Sequence, residues 1–170
     1  MKAREFLFSC EDQAMARLPA GFPQPERRVM WTILQLHYGA PEIHFELQPQ
    51  VSRGIVELGL HFEGPVEANE AAALLLAERI GDVLPPLGEG WELEEWTASW
   101  RRLHRPFPFE RLDGTLAREV ADAFARLLLT LAPLVPDLVR AAKGARPAAP
   151  VVRAARVARR LRHRRARARR

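Results

Sequence analysis

Apolar and polar residues alternate most regularly between Ile43 and Glu63. In IHFELQ (43–48), Ile43, Phe45 and Leu47 fall on one side of an extended backbone, and His44, Glu46 and Gln48 on the other. In IVELGLHFE (55–63), Val56, Leu58, Leu60 and Phe62 share one face, while Ile55, Glu57, Gly59, His61 and Glu63 share the opposite one. The pattern predicts two strands joined by the turn PQVSRG (49–54). RVMWTILQLHY (28–38) is rich in β-branched and aromatic residues and predicts one strand before them, across the turn GAP (39–41). Short connections make the three strands an antiparallel meander.

Helical spacing takes over elsewhere. Phe6, Leu7, Cys10, Ala14 and Leu18 predict a helix over 4–18, ended by the prolines of PAGFPQP (19–25). A second helix opens after Gly64-Pro65, with Glu67 and Glu70 in its first turn. Gly81 is its expected stop, and Pro85-Pro86 forbid continuation. WELEEW (91–96) and ASWRRLH (98–104) read as strands four and five, and PFPFERLDG (106–114) as a loop. Asp113 or Thr115 caps a long helix over 115–132, with Leu116, Val120, Phe124, Leu127, Leu128 and Leu131 on its buried stripe. Arg118–Asp122 and Asp122–Arg126 are spaced as ion pairs on its outer face. A short helix follows Pro136.

The order α-β-β-β-α-β-β-α predicts an α+β domain: a five-stranded, mainly antiparallel sheet with helices packed on one face. Residues 1–143 form that domain, GARPAAP (144–150) is a Pro/Ala linker, and 151–170 is an Arg-rich tail. Residues 1–137 hold 21 acidic and 13 basic side chains, a balance of −8. Residues 138–170 hold 13 basic side chains and no acid. Mutual repulsion keeps such a tail disordered or frayed when free, although Val151, Ala154, Ala155, Ala158 and Leu161 form a thin apolar stripe on a helix. Arginine outnumbers lysine 24 to 2, a bias that suits a GC-rich coding sequence and lowers the weight of any single arginine.

The single cysteine, Cys10, excludes an internal disulfide and any multi-cysteine zinc site. Its neighbours Glu11 and Asp12 disfavour a thiolate. No secretory signal is visible in MKAREFLFSCEDQ, and LLLTLAPLV (127–135) is too short to cross a bilayer. A cytoplasmic location is the expectation. Phosphate-binding glycine loops, nucleophile elbows and HExxH are absent, and no cofactor is expected.

Three groups of residues carry candidate chemistry. Arg153, Arg156, Arg159, Arg160, Arg162, Arg164, Arg165 and Arg167 would neutralise phosphates of DNA or RNA, without sequence preference because no aromatic residue accompanies them. An anionic membrane surface is the competing partner. The second group is His44, Glu46 and Gln48 with Glu57, His61 and Glu63, joined by His37 on the first strand; as a metal set it narrows to His44, Glu46, Glu57 and His61. A half-exposed antiparallel sheet shows such alternation as its solvated face; histidines and carboxylates so placed also suit a divalent metal or acid–base work. Trp91, Trp96 and Trp100 form the third, read as sheet core beneath a helix, with an aromatic binding surface as the alternative. If the fifth strand is an edge, its free backbone supports a homodimer.

The order of residues 4–96, α-β-β-β-α-β, resembles the core of the PD-(D/E)xK nucleases. The resemblance implies Mg²⁺-dependent hydrolysis with Glu46 and Glu57 in the acidic places. Gly59 stands where that family has lysine. The full order over 4–132 resembles the type III secretion chaperone-like fold group, which implies a non-catalytic domain that binds a protein partner or itself. The expectation that combines these readings is a non-enzymatic protein-interaction domain, its partner unnamed, with a tail that binds nucleic acid. The alternative is the hydrolase built on Glu46 and Glu57.

Overall fold

The structure is a computed structural model that describes residues 1–145. The Arg-rich segment, the eight arginines assigned to nucleic acid and most of the linker lie outside the described residues. The elements in chain order are α1 (Ala3–Met15), β1 (Glu26–Met30), β2 (Ile33–His37), β3 (Ile43–Gln50), β4 (Ile55–Phe62), α2 (Val66–Glu78), α3 (Ile80–Leu87), β5 (Glu92–Glu95), β6 (Arg101–Pro108), α4 (Gly114–Leu131) and α5 (Val135–Gly144). The α+β class holds, with helices packed against an antiparallel sheet. No described helix is long and apolar enough to cross a membrane.

The sheet has six strands rather than five, in the order β1-β2-β3-β4-β6-β5, and every neighbouring pair is antiparallel. The extra strand arises inside 28–38. Met30 pairs with Ile33, so Trp31 and Thr32 form a two-residue hairpin turn. Trp31 has φ 56°, and it is the one non-glycine with positive φ among the described residues. A positive φ at the first loop residue and not the second belongs to the II′ hairpin, where glycine is the usual occupant. Tryptophan there gives no turn signal, so the segment reads as unbroken strand.

Proline also misled at two places. Pro85 and Pro86 lie inside α3. The α2 helix breaks at Arg79, and the two prolines lie near the end of a new short helix, where each removes an amide donor and the helix stops one residue later at Leu87. Pro106 and Pro108 belong to β6 rather than a loop. β5 pairs only with Arg101–His104, so the later half of β6 has no neighbour on that side and behaves as an edge, where proline is tolerated. Over 101–104 the strand expected as a dimerising edge is flanked by both β4 and β5; the sheet's outer strands are β1 and β5.

One face of the sheet meets the helices. Leu34, Leu36, Phe45, Leu47, Leu58, Leu60, Phe62, Leu103 and Phe107 join Phe6, Leu7 and Cys10 of α1 and Phe124, Leu127 and Leu128 of α4 in a single core. Asp113 caps α4 by accepting hydrogen bonds from the amides of Thr115 and Leu116, each at 3.0 Å. Asp122 pairs not with its helix neighbours but with Arg17, just beyond α1, at 2.5 Å, so this contact ties α1 to α4. The α5 helix starts around Pro136 as the sequence suggests and runs through Gly144.

Candidate functional site

The other sheet face carries the polar half of each alternating strand. Register sets its rows. One row runs Gln35, Glu46, Gly59, His104, Glu92; the next runs His37, His44, His61, Arg102, Glu94. Glu57 lies one place beyond Gly59 on β4, opposite Gln48 and Pro106. This face is not solvated. His44, Glu46, Glu57, His61, Arg102 and His104 are all buried, and His61 has no exposed surface at all. The side chains are long enough, and close enough across strands 4.7–4.9 Å apart, to cover one another.

The connection from β5 to β6 covers part of this face. Trp96 meets the His61 ring edge-on at 5.5 Å between centroids, and the Arg102 guanidinium lies 4.8 Å over the Trp96 ring. Trp100 packs on Trp96 at 5.6 Å. Of the three tryptophans expected in the core, only Trp91 is there; Trp96 and Trp100 lie in the turn that caps the polar face.

Hydrogen bonds orient each group. His44 Nδ1 donates to the Pro41 carbonyl at 2.8 Å, which leaves Nε2 as the acceptor of the ring. The Gln35 amide nitrogen then donates both to His44 Nε2 at 3.0 Å and to Glu46 Oε2 at 2.9 Å. His61 Nδ1 faces Glu63 Oε1 at 3.3 Å; Nε2 lies 3.5 Å from Glu57 Oε1 and has no hydrogen-bond partner among the described residues. Glu57 is held by Arg102, whose guanidinium also takes Glu94 at 2.6 Å, and by the Gln50 amide at 2.8 Å. His104 Nε2 lies 3.1 Å from the same Glu94 carboxylate.

These contacts set the protonation states. Burial opposes the Glu57 charge, but His61 and Arg102 outweigh it and pull the pKa down to about 2. Burial likewise works against ionised Glu46, and the His44, His61 and Gln35 groups hold its pKa below the ordinary value. For His61, burial disfavours the cation, yet three surrounding carboxylates, Glu57, Glu63 and Glu46, raise its pKa to about 9. His104 is pushed down by burial and by the charge of Arg102. Cys10, on the helical side, is buried and pushed up to about 12, an inert thiol.

The residues the sequence singles out divide here. His44, Glu46 and His61 come together, and Glu63 joins them: one donor atom from each lies within 4.8 Å of the others. Glu57 sits beside this group as the partner of Arg102. A second set, Glu92, Glu94 and His104, meets the same distance condition, but Arg102 already occupies Glu94. Gln35, Arg102, His104 and Glu94 were not foreseen, because only the pairing of β2 with β3, of β4 with β6 and of β5 with β6 brings them in. One signal was present in the sequence: the tripeptide His-Phe-Glu occurs twice, at 44–46 and 61–63. On antiparallel strands with the two histidines opposed, the copies are related by a local two-fold.

Gly59 has a clear physical role. A Cβ there would lie 2.7 Å from the Leu103 carbonyl oxygen and 2.9 Å from the His104 Cβ. The β6 backbone therefore excludes any larger residue, including the lysine that the nuclease pattern puts in this place.

Comparison with protein-family models, with curated proteins and with solved structures finds no match for this chain.

Proposed function

We propose that the folded domain is a non-catalytic binding module that acts through contact with another protein, and that the Arg-rich segment 151–170 captures nucleic acid by charge. The observation that supports the reading is the closure of the charged face. Glu46 is engaged by Gln35, Glu57 by Arg102 and Gln50, and Trp96 packs over His61 and Arg102. A hydrolytic centre needs an open coordination position and a path for substrate. The two carboxylates of the hydrolase alternative are instead committed to separate partners.

The surface open to a partner is the end of the sheet where two hairpin turns meet. Trp31 is 88% exposed there, and Val51 is exposed in the β3–β4 turn. Thr32, next to Trp31, lines a shallow hollow of about 520 Å³ together with Gln48, Val51, Arg53 and Trp96, among others. An exposed tryptophan next in sequence to a residue of this hollow has the make-up of an interface anchor.

The test titrates duplex DNA and structured RNA with the full chain at several salt concentrations. A parallel set uses a chain in which Arg153, Arg156, Arg159, Arg160, Arg162, Arg164, Arg165 and Arg167 are all glutamine. Binding with a steep salt slope, lost in the substituted chain, is the expected result. Equal binding by both chains overturns the assignment of the tail. Incubation with Mg²⁺ or Mn²⁺ should leave the nucleic acid intact; cleavage abolished by Glu46→Gln or Glu57→Gln would restore the hydrolase. Sedimentation of the same samples reads self-association.

A further inference from the structure

Three carboxylates, Glu46, Glu57 and Glu63, surround the His44–His61 pair, and the Arg102 guanidinium and a proton on His61 answer them only in part. Glu46, Glu57 and Arg102 are buried. Unbalanced buried charge is costly. A single divalent cation that takes the place of the His61 proton would balance it. We propose that His44, Glu46, His61 and Glu63 hold one divalent transition-metal ion, in a tetrahedral site of two nitrogens and two oxygens that clips β3 to β4.

The geometry carries this in three ways. Zinc-class bonds of roughly 2.0–2.1 Å place tetrahedral ligand atoms about 3.3 Å apart. His44 Nε2 lies 3.4 Å from Glu46 Oε2, and His61 Nδ1 lies 3.3 Å from Glu63 Oε1. Each His-Phe-Glu tripeptide thus already spans one edge of the tetrahedron; the longer cross-strand edges need side-chain adjustment, and the Gln35 amide, which donates to both His44 Nε2 and Glu46 Oε2, must turn away from the ligand atoms for the ion to bind.

The outer contacts also match. A metal-binding histidine donates its second ring nitrogen to a carbonyl or carboxylate. His44 Nδ1 does so to the Pro41 carbonyl. If His61 ligates through Nδ1, the fully buried Nε2 that lacks a partner is left facing Glu57, which Arg102 anchors.

The donor set chooses the ion. Magnesium and calcium take six or more oxygens, whereas two imidazoles with two carboxylates suit zinc(II) and its neighbours. Four protein ligands and a buried position make the site structural rather than catalytic. The proposal is independent of the partner reading above.

The test uses the untagged full chain, stripped with chelator and dialysed. Zinc(II) is titrated by calorimetry and cobalt(II) by absorption. One ion per chain should bind, with the intense visible bands of tetrahedral cobalt, a raised melting temperature and no competition from magnesium. Glu63→Gln, at the rim of the cluster, should weaken binding by at least about 10–100-fold with circular dichroism unchanged. His44→Gln should do the same, and His104→Gln should not. If His44→Gln fails to fold, Glu63→Gln decides alone. Absence of binding, which leaves His61 balanced by a proton, overturns the proposal. So does binding that survives Glu63→Gln, or that is lost only in His104→Gln, which would place the ion at Glu92, Glu94 and His104.

Discussion

His44 and His61 stand directly opposite each other on β3 and β4, their rings stacked 5.6 Å apart and 25° from parallel. The turn that joins their strands fixes this opposition. Val51–Arg53 form one 3₁₀ turn, and Gly54 leaves it with φ 62°, a left-handed value suited to glycine. A slip of one residue in the hairpin would turn the histidines and glutamates into the apolar core and Phe45, Leu60 and Phe62 outward. The core therefore holds the polar pairs in register.

Gly59→Ala should destabilise the fold. The added methyl meets the Leu103 carbonyl and the His104 Cβ well inside contact distance, and both belong to β6. Overpacking of this kind costs about 1–3 kcal/mol. Urea unfolding should show a lower midpoint with an unchanged slope. An unchanged midpoint would mean that β6 does not approach β4 so closely.

Trp31→Gly should stabilise. The left-handed backbone costs an L-residue about 1–2 kcal/mol, and an 88% exposed side chain gives up little packing when removed. A gain of about 1 kcal/mol in thermal or urea unfolding is expected. Trp31→Ala keeps the strain and should show no such gain. If glycine and alanine behave alike, the turn is not strained.

Arg102→Met should be among the most damaging changes on the polar face. It leaves buried Glu57 with His61 as its remaining partner, and breaking a buried pair in this way costs up to about 3–5 kcal/mol. The double variant Arg102→Met with Glu57→Leu should recover much of that loss, because neither charge remains. A double variant no more stable than the single one would show that the pair does not act as a unit.

Stability should fall in acid partly through the α4 cap. Hydrogen bonds from the Leu116 and Thr115 amides hold the Asp113 pKa below its ordinary value of 3.8. The cap's contribution is therefore fully present above that unfolded value and is lost as pH drops through the lower folded one. Asp113→Asn keeps an acceptor but has no such titration. Melting curves of the two chains from about pH 6 to about pH 3 should converge at the acid end. Parallel curves would contradict the assignment.

The alternation between Ile43 and Glu63 was enough to define two strands, their inward apolar faces and their hairpin, because a period of two has one physical solution. The spacing of Val120, Phe124, Leu127 and Leu128 located α4 in the same way, and Asp113 marked its start. Local signals failed where tertiary packing overruled them: at Trp31, in a turn without a turn residue; at Pro85 and Pro86, inside a short helix; and at Pro106 and Pro108, on a half-edged strand.

The sequence by itself determined which residues of β3 and β4 face away from the core, since parity along a strand is local. Only the tertiary structure decided that this face is buried and that its histidines and carboxylates converge. Burial and convergence depend on which strands become neighbours, and β6 reaches β4 from about forty to fifty residues along the chain. That pairing supplies Arg102 and His104, and the turn before β6 lays Trp96 against Arg102 and His61.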